Sequence, residues 1–186
     1  MAEKFQNKYR IPSSRLQGFD YGAHGMYFVT ICTKNKIHYF GEIVNTHNVE
    51  THNDASLHCP SLHPTEIGKI AFDFWAAIPE HYPFVVLDEF VIMPNHIHGI
   101  LCFDRPDKTD WIPNIFGAQS QNLGAVIRAY KSSVKRYANQ HNIAFEWQPR
   151  FYDRIIRDER ARQAIRNYII NNPQNWYKDQ LNNSIT

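Results

Sequence analysis

Cysteine is scarce. The chain of 186 residues carries three, Cys32, Cys59 and Cys102, widely spaced and odd in number. With no Cys-x-x-Cys pair, neither a disulfide framework nor a cysteine-built zinc site is expected, and Cys32 and Cys102, inside apolar runs, read as small core residues. Long apolar stretches are missing too. None approaches the roughly 20 residues that span a bilayer, and the first eight residues lack the apolar core of a signal peptide. No membrane association and a cytoplasmic address are therefore the default expectation. Nor does either charge prevail, since 20 Lys and Arg stand against 18 Asp and Glu, a net +2. Total charge thus selects no class of partner.

What is present speaks for a folded chain with a polarised surface. Hydrophobic residues make up 43% and aromatics 14%, and the length suits one domain, 1–186, with a core of about 15–176. Charge is unevenly placed. Residues 121–170 hold ten Lys and Arg against four acids, so that region is +6 and the remainder −4. A concentrated basic region fits a polyanionic partner, although a solvated helical surface would look similar.

The pattern of elements predicts a fold. Met26–Thr33 is β-branched and aromatic and reads as a strand, with a second short strand at His38–Val44. Residues 45–64 are polar and irregular and read as a surface loop; its histidines (His47, His52, His58, His63) lie on no regular element. Pro64-Thr65 opens a helix with a buried stripe of Ile67, Ile70, Ala71, Phe74 and Ile78. Phe84–Met93 and His96–Phe103 are strands joined by Pro94-Asn95, a connection short enough to force a hairpin. Leu123–Gln140 is amphipathic, Phe151–Arg157 is a strand, and Asp158 caps a last helix that stops before Pro173. The order β-α-β-β-α-β plus a helix predicts an α+β, ferredoxin-like (RRM-like) antiparallel sheet packed with helices.

Two places carry chemistry. His96-Ile97-His98 opens a strand, so alternation points both imidazoles to one face and Ile97 to the core. Two imidazoles about 7 Å apart along a strand can share a divalent ion, while a pair of surface histidines remains the plainer reading. Gly99 beside them gives close backbone access. On the last helix, Tyr168 and Asn172 are four apart and share a face. Ala161, Ala164 and Ile165 lie on the same stripe, so core packing competes with a functional role. A tyrosine attacks a phosphodiester if a metal polarises the phosphate, because the phenol, with an ordinary pKa near 10, needs help in losing its proton.

Four stretches together resemble a known family. They are Tyr27-Phe28-Val29-Thr30-Ile31-Cys32-Thr33, Val91-Ile92-Met93-Pro94-Asn95-His96-Ile97-His98-Gly99, Trp147-Gln148-Pro149-Arg150-Phe151-Tyr152-Asp153 and Tyr168-Ile169-Ile170-Asn171-Asn172-Pro173. In this order they resemble the REP-associated tyrosine transposases, members of the HUH (His-hydrophobe-His) single-tyrosine transposases. The resemblance implies that His96 and His98 hold a catalytic divalent metal, Mg²⁺ or Mn²⁺, with Asn172 as third ligand. It implies Tyr168 as the nucleophile, leaving a 5′-phosphotyrosine and a free 3′-hydroxyl on single-stranded DNA beside hairpins. It also implies a bacterial protein acting at the nucleoid in DNA transposition and recombination, as a monomer or a homodimer. Residues 45–64 depart from the family pattern as an insertion.

For DNA contacts, Arg128, Lys131 and Lys135 on the long helix are expected at phosphates, with Arg150 and Arg154 nearer the active site. Trp147 and Phe151 are either base-stacking residues or core. Two other functions fit the same sheet: a non-catalytic single-stranded nucleic-acid-binding module, and a metal-dependent phosphodiesterase that uses water. For the latter the sequence offers few carboxylates near the histidines beyond Asp88 and Glu89. The short link from Arg157 to the last helix points to a site completed within one chain.

Overall fold

The computed structural model describes residues 16, 18–46, 59–107 and 121–182, with a two-residue ladder of Lys4–Phe5 and Lys8–Tyr9 near the N-terminus. The strands are β1 (Gly25–Cys32), β2 (Gly41–Thr46), β3 (Cys59–Pro64), β4 (Val85–Met93), β5 (His96–Phe103) and β6 (Tyr152–Ile156). The helices are α1 (Glu66–Ala76), α2 (Ile78–His81), α3 (Leu123–Gln140) and α4 (Glu159–Ile170). The central sheet runs β4-β5-β1-β6, antiparallel throughout. This is the expected α+β, ferredoxin-like sheet with one further helix.

Alternation along β1 divides the molecule into two layers. Tyr27, Val29 and Ile31 point into the main core, where α1 and α3 bury Ile67, Ala71, Trp75, Leu123, Val126, Ile127, Tyr130 and Val134. Tyr130 Oη donates to the Ala71 carbonyl at 2.8 Å and ties the two helices. Phe28 points to the opposite face, where Ile100, Ile156 and Ile169 of α4 form a smaller core. Helix α4 therefore lies on the face opposite α1 and α3. Its start is fixed by Asp158, whose carboxylate accepts the Ala161 N–H at 2.7 Å.

Several expectations need correction. The segment 45–64 is more than a loop: β3 pairs with β2 over Gly41↔Pro64 to Thr46↔Cys59, whereas residues 47–58, with His47, His52 and His58, lie outside the described ones. Pro60 and Pro64 disguise the strand, yet prolines are tolerated in a two-stranded ladder where one side needs no N–H. Ile43, with Leu62 against it, packs on Met93 and Trp176 and holds the ladder in place. The predicted strand at His38–Val44 starts later, at Gly41, after a tight turn at Lys34–Lys36. In α1 the fully buried stripe is Ile67, Ala71 and Trp75, with Ile70 and Phe74 at its margin, and Ile78 belongs to the separate α2. Gly99 serves packing rather than ligand access, because a Cβ there would overlap the Trp75 ring.

Candidate active site

Strand β5 begins directly after the Pro94-Asn95 turn, and its register sets Cys32 opposite His96 and Thr30 opposite His98. Ile97 is fully buried in the main core, so both imidazoles turn to the α4 face, their rings 4.5 Å apart. Asn95, itself buried, fixes one of them. Its Nδ2 donates to the Lys36 and Leu181 carbonyls at 3.0 and 2.8 Å, which leaves Oδ1 as an acceptor 2.8 Å from His96 Nδ1. The proton of neutral His96 must then sit on Nδ1, and Nε2 presents a lone pair. His98 Nδ1 is 2.9 Å from the Thr30 hydroxyl, which serves either tautomer.

Burial pushes the His96 pKa down to about 3, against the opposing pull of the Asn172 amide. Burial, with the neighbouring His96 charge, pushes His98 down to about 3 as well. Both rings are thus neutral near pH 7, the form that binds a metal.

Helix α4 brings the other half. Tyr168 is 48% exposed, and its Oη lies 3.1 Å from His98 Nε2. Partial burial and then the Asp179 charge raise its pKa, so the phenol carries its proton at neutral pH. One turn on, Asn172 is buried and its Nδ2 points to Asp179 Oδ2 at 3.4 Å. Asn172 Oδ1 and His96 Nε2 are buried without a hydrogen-bond partner. Protonated, His96 would donate to that amide oxygen; neutral, it leaves two inward lone pairs side by side.

Asp179 follows the short turn Trp176–Lys178 and lies 4.0 Å from His96 Nε2, with its side chain 9% exposed. The donor atoms of His96, His98 and Asp179 fall within 4.8 Å of one another, a group that could hold a metal ion. Two imidazole nitrogens, a carboxylate and an orphaned amide oxygen make a donor set suited to a divalent cation. Sequence reasoning brought His96, His98, Tyr168 and Asn172 to this place but missed Asp179. No periodicity links residue 179 to the histidines; Trp176, buried 6.0 Å from the His96 ring, is what folds the tail inward.

A cleft of about 980 Å³ opens over this group, lined by Phe28, Thr30, Gln148, Arg150, Tyr152 and Tyr168 among others. Arg150 stands at its rim with φ +66°, a left-handed conformation uncommon for arginine. Arg154 is exposed on β6, paired with Phe28. Arg128 is exposed on α3. Lys131 Nζ donates to the Gln148 and Arg150 carbonyls at 2.7 and 2.9 Å, and Lys135 Nζ to the Phe145 carbonyl at 2.6 Å. These two lysines brace residues 145–150 against α3. Trp147 packs with Phe40, Tyr130 and Phe145, so it is a core residue; Phe151 both lines the cleft and touches the core. Tyr152, by contrast, is 54% exposed beside Phe28.

No family model matches the chain. Among solved structures, a REP-associated tyrosine transposase bound to a REP hairpin superposes with a TM-score of 0.54 over 89% of this chain and 74% of that one, at 16% identity. That likeness establishes a shared fold. No helix among the described residues is long and apolar enough to cross a membrane. An uncharacterized protein of Haemophilus influenzae is 36% identical over 178 residues, 91% of each chain. At that identity over nearly the full length of both, this protein and the Haemophilus influenzae protein belong to one family.

Proposed function

We propose that the protein is a metal-dependent single-stranded DNA endonuclease and strand transferase, a tyrosine transposase with Tyr168 as nucleophile. One observation carries the reading. A half-exposed phenol lies 3.1 Å from one of two buried neutral imidazoles, beside an unpaired imidazole nitrogen and an unpaired amide oxygen. Residues that only packed a core would leave neither acceptor orphaned.

In this reading His96, His98 and Asp179 hold the metal, with the Asn172 oxygen as a further ligand. A divalent ion there, Mg²⁺ or Mn²⁺, would neutralise the phosphate oxygens and so favour attack. Tyr168 Oη attacks phosphorus; the Oη–P bond forms as the P–O3′ bond breaks. The phenol's proton passes to solvent in the open cleft, and the departing 3′ oxygen is protonated. The products are a 5′-phosphotyrosine and a 3′-hydroxyl, and attack by a 3′-hydroxyl reverses the step without ATP. Arg150 and Arg154 would contact phosphates of the single strand, Tyr152 would stack on an unpaired base, and Arg128 would meet the flanking hairpin. Tyr168 reaches the histidines of its own chain, which supports a site complete in one copy.

Asp179 also favours a second reading, because a carboxylate beside the histidines suits a phosphodiesterase that activates water. A denaturing gel separates the two. Labelled hairpin DNA from the flanks of the gene, with Mn²⁺, should yield a covalent protein–DNA adduct that EDTA abolishes and Tyr168→Phe removes. Cleavage that persists in Tyr168→Phe without an adduct would favour water as nucleophile. Metal-independent binding without cleavage would leave a non-catalytic nucleic-acid-binding module.

A further inference from the structure

Strand β4 breaks its register with β5 between Leu87 and Phe90, and the bulge turns two carboxylates toward α4. Asp88, with its side chain 7% exposed, receives Arg162 Nε on Oδ2 at 2.6 Å. Arg166 Nε stands 3.3 Å from Asp88 Oδ1, an ion pair outside hydrogen-bond geometry. The same Oδ1 accepts the Glu89 N–H at 2.9 Å. Around this centre Glu89 lies 3.8 Å from Arg166, and Glu159 lies 3.2 Å from Arg162.

Arg162 and Arg166 are one turn apart on the helix that carries Tyr168, and Arg166 precedes it by two residues. The apolar footing of that helix is thin: Ile169 is buried, while Ala161 and Ile165 are only partly so. Apolar packing is non-directional and resists sliding or rotation poorly. Two guanidinium groups converging on one fixed carboxylate restrain both motions. Burying a carboxylate in an edge-strand bulge is costly unless it is paired, so the bulge and the two arginines make sense as one device.

We infer that Asp88 is a positioning residue for the nucleophile: by holding Arg162 and Arg166 it sets the reach of Tyr168 to His98. The inference deepens the reading of Tyr168 given above. It also removes Asp88 from the carboxylates free to activate water, since its oxygens are engaged by α4.

The test begins without DNA or metal. In isotope-labelled protein, Tyr168 should show ring-to-ring NOEs to His98 and Phe28, whose centroids lie 5.1 and 6.3 Å from its own. In Asp88→Ala these should weaken or vanish, while those between Trp75 and Tyr130, on the other side of the sheet, stay unchanged. Should Asp88→Ala fail to fold, Asp88→Asn keeps an acceptor for the Glu89 N–H and loses the charge, and Arg162→Gln attacks the pair from the helix side. With hairpin DNA and Mn²⁺, single-turnover adduct formation should slow about tenfold or more, with DNA affinity held within about twofold. Full-strength Tyr168 NOEs in folded variants would overturn the inference. If the NOEs depend on Asp88 but wild-type protein forms no adduct, the latch stands and the nuclease reading falls.

Discussion

Asn95 spends its amide protons on two carbonyls, and that leaves its oxygen no role except acceptor for His96. The tautomer of His96 is thereby set by a residue that touches no substrate. Such outer partners of metal-binding histidines matter about 10- to 100-fold in affinity. Asn95→Ala should weaken Mn²⁺ binding by about that factor in titration calorimetry. Equal affinity in Asn95→Ala and wild type would show that the turn does not govern the site. At this scale the sequence was legible wherever spacing is local. A His-x-His on a strand shares a face, and so do Tyr168 and Asn172 on a helix. The part of Asn95 was not, because its carbonyl partners lie 59 and 86 residues away; nor was Asp179, brought in by a buried tryptophan.

Among the elements, helix α3 has a task that its charge pattern concealed. Arg128, Lys131 and Lys135 form one basic stripe, but both of its ammonium groups are spent on the backbone of residues 145–150. Lys131, its pKa lowered by burial, holds the two carbonyls that flank Pro149 and so steadies Arg150 in its left-handed turn. The salt dependence of DNA binding separates bracing from direct contact. Arg150→Gln should flatten the slope of log K against log salt by about 0.7 for a single strand. Lys131→Met should leave the slope alone while slowing adduct formation; a flattened slope would mean a phosphate contact after all. The ends of β5 and α3 were readable because turn, cap and periodicity agree there. The ladder of β2 with β3 was hidden by polar residues and prolines, and only the contact of Ile43 and Leu62 with Met93 and Trp176 accounts for it.

The whole molecule stores a pH dependence in its two buried imidazoles. Each has a folded pKa of about 3 against an ordinary 6.5. Between those values the unfolded chain binds more protons, so stability rises with pH in that window and is lost as pH falls below about 6.5. Metal-free protein should melt lower at pH 5.5 than at pH 7.5, by about 2–4 °C for each kcal/mol lost. Replacing both histidines with glutamine should flatten that dependence, and an unchanged slope would place the titration elsewhere. The long separation within the site has a further consequence, for biosynthesis. A ribosome delivers His98 70 residues before the tyrosine that meets it, and His96 83 residues before Asp179. Strands β4 and β5 can pair cotranslationally as a hairpin, yet until the tail follows the imidazoles have neither Tyr168 nor Asp179 beside them. On the proposed reading, cutting is withheld until the C-terminal segment has emerged, and a truncated translation product would carry the histidines without the groups that complete the site.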